Sequence, residues 1–404
     1  MAVGLQAPSK LLPIAGLRLA STHAGIKADP SRDDLVLIEL EPGSSLAGVF
    51  TRNRFCAAPV ILARRHLASR ADGTRYLLIN SGNANAGTGE PGLQAALQTC
   101  RAVADVASVP VDAVLPFSTG VIGELLPAAL VDKAIPRLHE ALGANAWLPA
   151  ARGIMTTDTL PKGASRRIEI DGRTVTLTGI CKGSGMIRPD MATMLAFVAT
   201  DAQIAAEDLQ PCLQQAVDVS FNAITVDGDT STNDACMLIA TGRSGVAVDA
   251  SHPVFRQALV ELFQQLAQSI VRDGEGATKF VEVRVEGAQN REDARGIAYT
   301  VAHSPLVKTA LFASDPNWGR ILAAVGRAPV AGLDIGRVDL YLGEVRLIHR
   351  GEPDPEYREE LGQAVMDREE ILIRVCLNLG EADARVWTTD LSYEYVKINA
   401  EYRT

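Results

Sequence analysis

Short apolar runs with strand character alternate along this chain with longer stretches of helical periodicity, and that alternation restricts it to layered packing of helices on sheets. Asp34–Leu40 and Arg75–Asn80 read as buried strands, with a further strand at Ala113–Phe117. Pro91–Val106 and Ala128–Leu142 have helical spacing. Asp171-Gly172 separates Ile168–Ile170 from Thr174–Ile180, a strong signal for a two-residue hairpin. Met194–Ala199 reads as a short strand, Pro253–Val271 as a helix, and Lys279–Glu286, Val338–Leu347 and Glu370–Leu377 as strands. Strands of both parallel and hairpin type, mixed with helices, predict an α/β or α+β layered sandwich. At 404 residues the chain is long enough for one large domain or two ordinary ones.

Charge and cysteine usage narrow the function. The formal net charge of −9 leaves no general basic field for nucleic acid, so an anionic substrate needs a local positive site. The six cysteines (Cys56, Cys100, Cys181, Cys212, Cys236 and Cys376) are scattered and form no CxxC pair. They read as reduced thiols in the core, without a disulfide framework or a local zinc site. The six histidines are equally dispersed, so no metal centre is written locally and no bound cofactor is expected. No leader-type apolar segment and no run approaching ~18 apolar residues is present, which makes the cytoplasm the expected compartment.

The most glycine-punctuated stretch is Lys182–Asp190, which leads into the apolar Met194–Ala199 run. Gly183 and Gly185 permit unusual backbone conformations. Pro189 biases Arg188 to an extended one. Ala192 is small enough for a crowded turn around its carbonyl, and Thr193 stands at the start of the expected strand. On the residues alone this is equally a plain loop before a strand, since neither GxxxxGK[ST] nor GxGxxG is present. A chemical reading is also open. Thr193 Oγ can attack the Ala192 carbonyl, and hydrolysis of the ester would leave chains 1–192 and 193–404. The new α-amine, which ordinarily titrates at about 7.7–8.0, is a general base on the same residue as the hydroxyl. Such a nucleophile needs no histidine, and no Ser-His-Asp or Cys-His pattern stands out.

The string KGSGMIRPDMATML, residues 182–195, resembles the cleavage motif of the ornithine acetyltransferase family, which moves acetyl from N-acetylornithine to glutamate in arginine biosynthesis. GVFTRNRFCAAPV, INSGNANAGTG, PFSTGVIGE, TTDTLPK, TVDGDTSTND, DGEGATK, DPNWGRI and the final INAEYRT agree in order, so the resemblance spans nearly the whole chain. It implies cleavage between Ala192 and Thr193, an acetyl-Thr193 intermediate in a ping-pong scheme, and an oxyanion hole at Thr119 and Gly120. It implies substrate contacts at Thr156, Lys182, Thr193, Asn399 and Thr404, with Thr157 a one-residue alternative to Thr156. Glu275 in DGEGATK is suited to a substrate ammonium. Taken without the family, Thr119-Gly120 is an ordinary strand-end turn, Lys182 a surface lysine, and Glu275 an acid between turn glycines at a helix end. Asp227–Asp234 reads as a structural turn that lacks the spacing of a calcium loop. Asp315–Arg320 faces either the acetyl donor or the core, with the structural role favoured.

The resemblance further implies an N-terminal-nucleophile-like sandwich in which the two cleaved chains intertwine in one structural unit, pairing into an α2β2 assembly. Acetyl-CoA is a possible second acetyl donor in such a family. A self-processing amidase or aminopeptidase, and an uncleaved inactive binding protein, are the competing readings.

Overall fold

In a computed structural model, residues 2–69, 73–188 and 194–401 are described. Contacts divide the chain into two compact units. The first comprises Ala7–Asn222 with Asp229–Ile270; the second runs from Val271 onward and takes in Ala223–Gly228 and the N-terminal residues to Gln6.

The first unit holds strands β1 (Leu17–Thr22), β2 (Leu35–Leu40), β3 (Ser45–Phe50), β4 (Tyr76–Asn83), β5 (Val114–Val121), β6 (Lys162–Ile170), β7 (Arg173–Lys182), β8 (Leu195–Thr200) and β9 (Ala235–Ala240). Its helices are α1 (Ala58–Ser69), α2 (Gly89–Ala107), α3 (Ala128–Glu140), α4 (Trp147–Gly153), α5 (Ala206–Asp218) and α6 (Pro253–Arg272), the last ending just past the unit's boundary. One sheet has the order β1-β2-β4-β5 and the other β3-β9-β8-β7-β6. Their facing sides meet in one core, where Val36, Ile38, Leu77, Leu115 and Phe117 of the first sheet lie against Phe197, Met237 and Ile239 of the second. Phe117 and Phe197 meet edge to face with centroids 5.2 Å apart.

The outer side of the four-stranded sheet buries Leu35, Leu37 and Leu78 against Cys100 and Val103 of α2 and Ile135 and Leu138 of α3. Coverage on both faces explains why β2 reads LVLIEL without polar alternation. The hairpin predicted at Asp171-Gly172 joins β6 to β7, with Ile170 opposite Arg173. Both turn residues have positive φ, 51° and 73°, the geometry that matches the natural strand twist.

The second unit is a six-stranded sheet of order β13-β12-β11-β14-β10-β15. Its strands are β10 (Phe280–Ala288), β11 (Asp339–Leu342), β12 (Val345–His349), β13 (Glu352–Pro353), β14 (Glu370–Cys376) and β15 (Ala382–Thr389). α7 (Arg291–Ala302), α8 (Pro305–Phe312), α9 (Trp318–Gly326) and α10 (Glu359–Met366) supply helical residues to its core, and α11 (Tyr393–Ala400) follows β15. The strand expected over Val338–Leu347 is two strands, because Gly343 at φ 55° turns the chain between Leu342 and Val345. Asp315–Arg320 opens α9: Asn317 caps the helix through the Arg320 amide at 3.3 Å, and Arg320 Nη1 donates to the Leu306 carbonyl at 2.9 Å. Among the described residues no helix is long and apolar enough to cross a membrane.

Candidate active site

In the first unit the site is built on the end of β5, the edge strand that carries Ser118-Thr119-Gly120. β5 runs parallel to β4, and Gly120 stands opposite Gly82. Gly120 has φ 135°, and a Cβ on it would lie 2.2 Å from the Gly82 carbonyl carbon and 2.5 Å from the Asn83 nitrogen. Only glycine permits so close an approach of the two backbones. Ser118 is tied down by its hydroxyl, which donates to Asn80 Oδ1 at 2.5 Å, and by its carbonyl, which accepts from Asn233 Nδ2 at 2.9 Å. Asn233 lies in the Asp227–Asp234 stretch, and its amide also donates to the Ala84 carbonyl at 2.6 Å, so this part of the stretch supports the β5 turn.

Lys182 is the last residue of β7 and is buried, not a surface lysine. Its ammonium donates to Thr156 Oγ1 at 2.7 Å and to Thr119 Oγ1 at 3.2 Å. Three of the expected site residues, Thr119, Thr156 and Lys182, thus form one hydrogen-bonded group beside Gly120. Thr157 points elsewhere in this network: its hydroxyl shares a hydrogen bond of 2.6 Å with Ser184.

Asp158 organises this group, and the motif reading missed it. Its Oδ1 accepts from Lys162 Nζ at 2.6 Å and from the Gly183 amide at 2.8 Å, and its Oδ2 accepts from the Thr156 amide at 2.9 Å. One carboxylate therefore fixes the backbone on either side of the Lys182–Thr156 contact. Burial alone would raise the Asp158 carboxyl; the charges of Lys162 and Lys182, with the hydrogen bonds, overcome this and hold it well below the usual carboxylate range. Two residues of the β1–β2 connection also reach this place. Arg32 Nη2 donates to the Thr156 carbonyl at 2.8 Å. Lys27 is lowered to about 8, by burial first and then by the charge of Arg32.

The segment that leaves β7 is anchored across the loop before β9: Ile187 bridges to Thr230, and Thr230 Oγ1 donates to the Arg188 carbonyl at 3.3 Å. Ala192 and Thr193 lie outside the described residues. The strand expected from Met194 begins at Leu195, and the buried Met194 just before it accepts from the Ala235 amide at 3.0 Å.

In the second unit Glu275 lies in the turn after α6 and is buried. Its Oε2 accepts from Asn399 Nδ2 of α11 at 2.9 Å. Gly276 makes this possible: at φ 68°, a Cβ on it would stand 2.4 Å from the Tyr395 nitrogen. Ser392 Oγ also donates to the Gly276 carbonyl at 2.6 Å, and Asp390 accepts from the amides of Thr278 and Lys279 at 2.8 and 2.9 Å. α11 is thus docked on the Glu275 turn, bringing Asn399 to it. Thr404 lies outside the described residues. All six cysteines are free thiols, and no cluster of metal-ligating side chains occurs among the described residues.

The sequence pattern of the ArgJ family matches residues 18–404. The chain belongs to the ArgJ family. It is 55% identical over 409 residues to the arginine biosynthesis bifunctional protein ArgJ of Pseudomonas fluorescens, covering all of both chains. It is 57% identical over 399 residues to the protein of that name from Methylococcus capsulatus, covering 98% of this chain and 97% of the relative. Two solved structures are similar in part. ArgJ from Bacillus halodurans is 39% identical, with TM-score 0.48, over 50% of this chain and 96% of that one. The ornithine acetyltransferase of Mycobacterium tuberculosis, complexed with ornithine, is 33% identical, with TM-score 0.38, over 45% of this chain and 93% of that one. Within the ArgJ-family chain the described candidate residues fall into two groups, Thr119, Gly120, Thr156 and Lys182 in the first unit and Glu275 and Asn399 in the second.

Proposed function

We propose that the chain moves an acetyl group from N2-acetylornithine to glutamate, releasing ornithine and N-acetylglutamate in arginine biosynthesis. The observation that carries this reading is the Lys182 ammonium donating at once to Thr119 and Thr156. A hydroxyl that accepts from an ammonium keeps its own proton for another acceptor. Thr119 is therefore set to donate, and with the Gly120 N–H it can stabilise the oxyanion of acyl transfer. β5 has no strand on its outer side, so its outward amides face no sheet partner among the described strands.

The nucleophile in this scheme is Thr193, freed by self-cleavage. Thr193 Oγ attacks the Ala192 carbonyl, the peptide C–N bond breaks as an ester forms, and water hydrolyses the ester. The released α-amine then takes the hydroxyl proton when Thr193 attacks the acetyl carbonyl of N-acetylornithine. Ornithine departs with a proton, glutamate enters, and its amine takes the acetyl from the ester. Lys182 and Thr156 are the substrate contacts proposed in the first unit, and Glu275, Asn399 and Thr404 those proposed in the second.

Cleavage would not separate the halves. β3, β6 and β7 precede residue 192 while β8 and β9 follow it, and the sheet order β3-β9-β8-β7-β6 interleaves them. Parting the chains would break the ladders between β3 and β9 and between β7 and β8. The cleaved pair assembles further as α2β2 in the cytoplasm. Because the curated relatives carry the name bifunctional, acetyl-CoA is proposed as a second acetyl donor to glutamate, with no cofactor held between turnovers.

Incubating the protein with N-acetylornithine, with and without glutamate, tests the reading. Ornithine release that requires glutamate supports transfer. Equal release without glutamate means that the acetyl goes to water and the protein is an amidase.

A further inference from the structure

The connection between β1 and β2 is clamped into one shape by a carboxylate. Asp34 is fully buried and accepts from the backbone amides of Ala24, Gly25, Ile26 and Lys27 at 2.6, 3.1, 2.7 and 2.9 Å. His23 Nδ1 lies 3.4 Å from the same carboxylate and 3.0 Å from the Arg32 carbonyl. The clamp lays the stem of Lys27 over Gly82: a methyl on Gly82 would stand 3.2 Å from Lys27 Cγ. Gly82 is the residue pressed against Gly120.

Among the described residues Lys27 Nζ donates once, to the Asp33 carbonyl at 2.9 Å, and an ammonium has three protons to give. The Asp33 carboxylate is engaged by Ser21 Oγ at 2.5 Å. Arg32 and Lys182 meet at Thr156, one on its carbonyl and the other on its hydroxyl. The carboxylates near Lys27 are already committed, Asp34 to four amides and Asp158 to Lys162 and two amides. Lys27, Arg32 and Lys182 thus bring three cations to the surroundings of Gly82 and Thr156 in a chain whose overall charge is −9. A carboxylate that enters beside the Thr119-Gly120 turn would meet Lys182 and the remaining protons of Lys27, because the resident carboxylates are engaged by other groups.

We propose that Lys27, together with Lys182, forms a subsite for a carboxylate of the amino-acid substrates. The proposal rests on the acetyl-transfer reading. N-acetylornithine and glutamate share an α-carboxylate, and glutamate alone adds a second carboxylate at its far end. The protonation of Lys27 follows its setting: burial and the charges of Arg32 and Lys182 lower it to about 8, against the pull of Asp34 and Asp158. The empty subsite thus weakens as pH rises through that value, because a neutral amine no longer attracts the carboxylate.

The test uses the full-length protein and the variants Lys27→Met and Lys27→Arg, with production of the 1–192 and 193–404 fragments as the check on folding. A hydrogen bond to a charged group contributes about 1.5–3 kcal/mol, so Lys27→Met is expected to raise KM about 10- to 150-fold. Lys27→Arg is expected to stay within a few-fold of the parent. A rise for both substrates assigns the α-carboxylate, and a rise for glutamate alone assigns its distal carboxylate; either supports the subsite. Titration with N-acetylglutamate, which has no titrating amine, supplies the second readout. Its Kd is expected to rise above pH 8 more steeply in the parent than in Lys27→Arg, which keeps the Thr193 α-amine and loses only the titrating lysine. KM values unchanged within twofold in Lys27→Met, or the same pH dependence in Lys27→Arg, overturn the proposal. If the parent released no ornithine in response to glutamate, the acetyl-transfer reading would fall instead, and the N-acetylglutamate titration would still decide the subsite.

Discussion

Replacing Lys162 by methionine tests how the site is held together. Neither the Lys162 nor the Asp158 side chain is exposed, and their charged atoms are 2.6 Å apart. The substitution keeps the volume and removes the ammonium, leaving a buried carboxylate with the Gly183 and Thr156 amides and the field of Lys182. Breaking one side of a buried pair costs about 3–5 kcal/mol. The sign of its pH dependence follows from the depressed carboxyl. Asp158 stabilises the fold fully above the unfolded value of about 3.9, and that contribution fades as pH falls towards its folded value. In the variant the carboxyl rises, so the folded state takes up a proton and the deficit shrinks on acidification. Urea unfolding of parent and variant at pH 7 and at pH 4 reads both effects. The expected result is a deficit of about 3–5 kcal/mol at pH 7 that narrows at pH 4. A deficit below about 1 kcal/mol at pH 7, or one that does not narrow, refutes the reasoning. Adding Asp158→Asn removes the orphaned charge and should return most of the stability, with acetyl transfer still impaired because Thr156 and Gly183 lose a shared anchor.

Thr119→Val removes the hydroxyl set to donate and should lower kcat about 10²- to 10³-fold; steady-state kinetics showing less than a tenfold loss would remove Thr119 from the oxyanion role. Gly120→Ala forces a methyl into the Gly82 backbone, so a sharp fall in melting temperature is expected, and an unchanged melting curve would contradict the close approach. Asn399→Leu deprives Glu275 of its partner on α11 and should raise KM for N-acetylornithine about tenfold or more while fragment production continues; an unchanged KM would confine Asn399 to packing.

The features that were legible in the sequence are those that local chemistry dictates. Asp171-Gly172 announces its hairpin because few residue pairs accept two positive φ values in succession. The apolar runs of β2 and β4 stand out because both of their faces are covered, whereas β10 alternates the buried Val281, Val283 and Val285 with Glu282, Arg284 and Glu286 and so carries the period of a half-buried strand. β3 and β9 escaped notice: SLAGVF and ACMLIA are short and rich in small residues, and only pairing across the chain makes them strands. The Asp158–Lys162 pair spans a proline-containing stretch that precedes β6, so no periodicity marked it. Lys27 and Arg32 carry no local signal either. Their meaning arises when a loop near the N-terminus meets Gly82 and Thr156, the latter 124 positions away from Arg32. Lys182 illustrates the same limit, since only the end of β7 reaching Thr119 turns what reads as a surface cation into a buried one.

The most direct test of the central claim is a mass spectrum of the protein before and after N-acetylornithine, with peptide mapping. The account predicts two fragments, 1–192 and 193–404. The second gains the mass of one acetyl group on Thr193 and loses it when glutamate is added. A single uncleaved chain that still transfers acetyl to glutamate, or an acetyl group carried by any residue other than Thr193, would contradict it.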